Sequence, residues 1–120
     1  MAATNLHHVL RLVGDLPEAK AEGNQHYKLT VRRKTFAWYV DDHHGDGREA
    51  IHCRAQKGEN EALVAADPDR FFLPPYLASK GYVGLWLDTE YVGWEEVREL
   101  LTDAYRLVAP KKLVALLSSR

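Results

Sequence analysis

The chain carries one cysteine and one methionine in 120 residues. A lone thiol excludes an intrachain disulfide and a cysteine-based zinc site. Long apolar runs are also missing. None approaches the roughly 20 residues a membrane span needs, so no membrane association is expected. The amino-terminal stretch MAATNLHHVLRLVGD lacks a basic leader, and its apolar residues are periodic rather than continuous. It therefore does not read as a signal peptide, and the expected compartment is the cytoplasm. There is no positive excess either. The net charge is −1, whereas free-standing nucleic-acid binders usually carry a clear basic surplus. Gly-x-Gly-x-x-Gly, Gly-x-Ser-x-Gly, His-Glu-x-x-His and P-loop patterns are all absent. No enzymatic activity, cofactor or metal is expected.

What remains is enough for one domain over residues 1–120. Hydrophobic residues make up 46% of the chain and charged residues 28%, which are the proportions of an ordinary globule. A chain this long buries enough surface to fold without staples.

Apolar periodicity sets the elements. Leu6, Val9, Leu10 and Val13 mark one face of a short helix, with Thr4 as its cap and Gly14 as its stop. Asp15–Asn24 reads as a polar connector. Tyr27, Leu29 and Val31 alternate as a half-buried strand. Phe36, Trp38 and Val40 alternate with Ala37 and Tyr39 as a second. Arg33-Lys34 separates these two strands in a tight hairpin. Asp41–Arg48 is a loop, and Glu49–Ala55 is a third strand with Ile51, Cys53 and Ala55 on one face. Together these strands form an antiparallel meander. Gly58–Asp67 is helical and ends before Pro68, because a residue preceding proline avoids the α region. Phe71-Phe72 is a short strand. Tyr82–Asp88 sets Val83, Leu85 and Leu87 against Tyr82, Gly84 and Trp86. From Trp94 to Val108 the stripe at 3.6 spacing is clean. A final helix starts at Pro110 and docks through Leu113, Leu116 and Leu117. The fold class is α+β: a single-layer antiparallel sheet packed against N- and C-terminal helices.

Three groups of residues could carry chemistry. Asp41-Asp42-His43-His44-Gly45-Asp46 has the residue types of a divalent metal site. It also has those of a solvated turn, and adjacent histidines on an extended segment point apart. His52-Cys53 resembles a nucleophile–base pair, but strand neighbours point to opposite faces. The third group is basic. Arg32, Arg33 and Lys34 sit at a hairpin tip, Arg48, Arg54 and Lys57 flank the third strand, Lys80 precedes the aromatic strand, and Lys111-Lys112 opens the last helix. Such residues could contact phosphates, and Tyr39, Tyr82 and Trp86 could stack on bases if they face outward. Residues 1–57 hold nine Lys/Arg against seven Asp/Glu, and residues 58–120 hold seven against ten. A basic face thus requires the fold to gather the cations on one side.

VRRKTFAWY, LVAADPDRFFLPPY, GYVGLWLD and WEEVRELLTDAYRLVAPKKL, in this order, resemble the MmcQ/YjbR family of small bacterial proteins. The resemblance runs from about Leu10 to Leu117. It implies a compact domain with helices packed against an antiparallel sheet, a double-wing DNA-binding motif, and no enzymatic activity. Lys34, Lys111 and Lys112 stand in matching motif positions. Arg33 departs from the family pattern Arg-Gly-Lys-x-Phe, where glycine is usual. The expected function is non-enzymatic DNA binding through Arg32, Arg33, Lys34, Arg48, Arg54, Lys80, Lys111 and Lys112. The expected state is a monomer or weak homodimer. The alternative is a protein- or small-ligand-binding module built on the aromatic strand and the Pro74-Pro75-Tyr76 corner.

Overall fold

The computed structural model describes residues 2–42 and 45–117, the first three of them by backbone only. Six strands form one antiparallel sheet: β1 (Ala19–Gly23), β2 (Tyr27–Val31), β3 (Lys34–Asp41), β4 (Glu49–Arg54), β5 (Phe71–Phe72) and β6 (Tyr82–Trp86). Their order across the sheet is β1-β2-β3-β4-β6-β5. Among the described residues, four α-helices accompany them, α1 (Ala2–Gly14), α2 (Glu59–Ala66), α3 (Trp94–Val108) and α4 (Lys111–Leu117), with a 3-10 turn at Ala78–Lys80. The expected α+β class and the β2-β3-β4 meander are both present.

Alternation places the core on one face. Leu29, Ala37, Tyr39, Ile51, Cys53, Val83 and Leu85 lie in register across β2, β3, β4 and β6. All are buried against α1 and α3, which supply Val9, Leu12, Val13, Val97, Leu101, Ala104 and Tyr105. The opposite face carries Lys28, Trp38, His52, Gly84 and Phe72, also in register.

β3 departs from simple alternation. Leu29 pairs with Ala37 but Thr30 pairs with Thr35, so Phe36 is an extra residue in the strand. Such a bulge turns two successive side chains towards one face. Phe36 therefore joins Ala37 and Tyr39 in the core, fully buried and edge-on to Tyr105 with ring centroids 5.8 Å apart. Only Trp38 and Val40 of the expected apolar set remain on the outer face.

Other expectations need correction. Ala19–Gly23 is a strand, not a connector; Ala-Lys-Ala-Glu-Gly has poor strand propensity and is held as an edge by β2 alone. The first helix starts at Ala2, so Thr4 lies inside it rather than at its cap. On α2, Leu63 and Val64 are half-buried and Ala66 is exposed, while Asn60 is buried. Leu113 docks α4 as expected, but Leu116 stays half exposed.

Burial also raises two ionisations in the core. It pushes the Cys53 thiol up from 9.0 to about 12. The Tyr39 hydroxyl is likewise raised from 10.0, first by burial and then by its hydrogen bond to Glu49. Both groups hold their protons more tightly folded than unfolded, so their contribution is intact below about pH 9 and lost as pH rises towards the folded values. Urea melts from pH 7 to 10 should show stability falling above pH 9, with a flatter fall in Cys53→Ala.

Candidate nucleic-acid interface

The register sorts the cationic loops by end of the sheet. β2 and β3 turn over at Arg32-Arg33. β4 runs antiparallel to β3 and finishes at Arg54, and Arg54 pairs with Tyr82 at the start of β6. The Arg32–Lys34 tip, Arg54, Lys57 and Lys80 thus share one end. Glu18 precedes Ala19, which pairs with Val31, and its carboxyl feels the charge of Lys112. The start of α4, with Lys111 and Lys112, therefore reaches the same end. Arg48 does not. It precedes β4 at the opposite end, beside Asp41, Asp46, Glu49, Asp88 and Glu90.

The turn at the tip has two residues, as expected, but lies one residue earlier, at Arg32-Arg33. Arg32 and Arg33 both have positive φ, 49° and 69°, which is the type I′ pattern of two-residue hairpins. Non-glycine residues in this region carry a steric cost. Arg33→Gly, which restores the glycine of the family pattern, should raise unfolding free energy by about 1 kcal/mol in a urea titration, while removing one exposed cation.

The two ends differ in how their cations are compensated. At the Arg48 end the guanidinium groups are matched. Arg48 donates to both Asp88 oxygens, at 3.2 and 2.9 Å, and lies 3.7 Å over the Trp86 ring. Burial alone would raise the Asp88 carboxyl, but the Arg48 hydrogen bond, the Glu49 N–H and the Arg48 charge hold it below its usual value. Arg70 pairs with Asp67 and Glu96. At the other end Arg32 is matched, through a two-pronged pair with Glu18. Among the described residues, Arg33, Lys34, Arg54, Lys57, Lys80, Lys111 and Lys112 make no ion pair. Arg54 lies over the Tyr82 ring and its buried Nε has no hydrogen-bond partner. Glu59 and Asp103 line one cavity with Arg54, and Glu61 lines another with Lys57 and Lys80.

Lys80 is held in place by a residue the sequence reading missed. Asn60 is buried and donates to Ala78 O at 3.0 Å and Tyr82 O at 3.1 Å, one carbonyl on each side of Lys80. No apolar pattern marks such an asparagine; a polar position on the inner side of a helix is its only trace. Asn60→Ala should take this donor from Tyr82 O, while Ala78 O keeps the Gly81 N–H, destabilising the fold by about 1–3 kcal/mol as read by thermal or urea melts.

The stacking residues suggested by the sequence are not exposed platforms. Tyr39 is buried and donates to Glu49, which also accepts from Asn5 at 2.7 Å. Tyr82 is buried as well. Trp86 is held between the Arg48 guanidinium and the Phe72 ring, whose centroid is 4.1 Å away. Tyr76 is exposed instead, 87% accessible, in the connection that leads to Lys80, and Tyr91 is exposed beyond β6. Tyr76 lies at the opposite end of β6 from Trp86, so the two do not form one patch.

Of the metal-type loop, His43 and His44 lie outside the described residues. Its aspartates serve the turn: Asp42 accepts from the Gly47 N–H and Asp46 from the Arg48 N–H. His52 and Cys53 face opposite sides of the sheet, His52 edge-on to Phe72 and Cys53 in the core.

The YjbR family model matches residues 14–107. The chain belongs to the YjbR family. YjbR is not a known enzyme family. Among solved structures, this YjbR chain resembles the Deinococcus radiodurans protein DR2400, which has a DUF419 domain. The two superpose with a TM-score of 0.72 over 89% of this chain and 80% of that one, at 21% identity. At that identity the likeness speaks for the fold alone. No curated protein matches the chain. Among the described residues of this YjbR protein, no helix is long and apolar enough to cross a membrane.

Proposed function

We propose that this YjbR protein is a non-enzymatic DNA-binding module whose contact surface is the Arg33–Lys34 end of the sheet. The observation that carries this reading is the contrast between ends. Arg48 and Arg70 are neutralised by carboxylates at one end, while Arg33, Lys34, Arg54, Lys80, Lys111 and Lys112 make no ion pair among the described residues at the other. A net charge near zero then coexists with a locally positive surface, and local potential governs the encounter with a polyanion. The proposed contacts are to phosphates, which position without reading sequence. Arg32 is tied to Glu18 and supports the tip. Arg48 is tied to Asp88 and lies outside the surface. Tyr76 adds one exposed ring on which an unpaired base could stack.

Fluorescence anisotropy with labelled duplex and single-stranded DNA at low salt tests the reading. Binding to at least one of them is expected. An unchanged anisotropy up to the highest protein concentration for both probes would reject it. The alternative, a protein- or small-ligand-binding module on the aromatic strand and the Pro74-Pro75-Tyr76 corner, keeps exposed Leu73 and Tyr76 but has less support, because Pro74 is buried and Trp86 is already covered.

A further inference from the structure

The two edges of the sheet are not alike. β5 is two residues long, but β1 is five, and its outer side is open. Lys20, Glu22 and Gly23 are exposed. Among the described residues, none of Lys20–Gly23 makes a backbone hydrogen bond beyond the sheet. An edge like this offers a row of donors and acceptors to another strand.

We propose that β1 pairs antiparallel with β1 of a second copy of this chain, about a two-fold axis through Ala21, joining two six-stranded sheets into one. The register follows from the side chains. Lys20 pairs with Thr30 and Glu22 with Lys28, so both lie on the outer face, while Ala19 and Ala21 lie on the core face. Directly opposed residues must share a face, so only every second register is open. Centring on Lys20 opposes two lysines, and centring on Glu22 opposes two glutamates. Centring on Ala21 sets Lys20 against Glu22 of the partner subunit, twice by symmetry. Opposite charges across an antiparallel pair stabilise it and like charges oppose it. The arrangement is isologous, so it closes at two copies. It also lays the cationic end of one copy beside the carboxylate-rich end of the other. A lone lysine would blunt this edge; lysine and glutamate two residues apart make it selective for itself.

Sedimentation of the full chain over a concentration series tests this directly. The wild type should show a reversible monomer–dimer equilibrium. Lys20→Glu and Glu22→Lys should each sediment as monomers, because each sets like charges opposite one another. An equimolar mixture of the two single variants should regain the dimer, since each then meets its complement. The combined Lys20→Glu/Glu22→Lys chain should dimerise as the wild type does. Recovery in the mixture cannot come from a folding defect. A wild type that stays monomeric throughout, a Lys20→Glu chain that dimerises undiminished, or a mixture that stays monomeric would overturn the proposal. None of these outcomes depends on DNA binding.

Discussion

Phe36→Ala should lower the unfolding free energy by about 3–5 kcal/mol, the cost of emptying a fully buried aromatic site. The neighbouring change Trp38→Ala should cost less than about half of that, because the indole is part-exposed on the outer face. The two residues have the same place in an alternating pattern, and simple alternation would make them equivalent. The bulge between Leu29–Ala37 and Thr30–Thr35 makes them unequal. It sends Phe36 into the layer between sheet and α3, against Tyr105. Collapse around the lost ring is limited there, since Val31, Leu101 and Ala104 are themselves fully packed. Urea-induced unfolding of the two variants decides the matter. Equal losses, or a larger loss in Trp38→Ala, would mean that the bulge does not place Phe36 in the core.

Arg33→Ala/Lys34→Ala/Lys80→Ala should weaken DNA binding by about a hundred-fold or more near 0.1 M salt. Each phosphate contact that is lost forfeits the release of roughly one counterion, worth close to a factor of ten at that concentration. The three residues lie on two separate loops, the β2–β3 tip and the turn before β6, so the loss is not that of one local distortion. Their side chains are exposed and make no ion pair among the described residues, so the fold should tolerate the change. Circular dichroism and a melt establish that the variant is folded, and anisotropy titration then reads the affinity. A folded variant that binds as the wild type does would remove this end of the sheet from the interface.

Much of the architecture was legible because burial has a period. Val83, Leu85 and Leu87 alternate, and Val97, Leu101, Ala104 and Tyr105 recur at helical spacing, so β6 and α3 could be placed from apolar pattern alone. β1 was not legible. A strand that pairs on one side and buries only small alanines leaves no hydrophobic signal, and its pairing with β2 is what makes it a strand. The bulge at Phe36 was hidden for a related reason. One inserted residue changes which face follows without changing any residue type. At the candidate site, the residue types were visible but their compensation was not. Arg32, Arg48 and Arg70 look like Arg33 and Arg54 in a sequence. Only the fold brings Glu18, Asp88, Asp67 and Glu96 against the first three. Asn60 was missed because its role lies in two carbonyls 18 and 22 residues further along.

The most direct test is the salt dependence of duplex binding, compared among the wild type, the Arg33→Ala/Lys34→Ala/Lys80→Ala variant and Arg48→Ala. The logarithm of affinity should fall linearly with the logarithm of salt for the wild type. The slope should be shallower by about 3 in the triple variant, nearly one for each phosphate contact removed, and unchanged in Arg48→Ala. A wild-type affinity that ignores salt, or a slope that Arg48→Ala alters and the triple variant does not, would contradict a phosphate-contacting surface at the Arg33–Lys34 end.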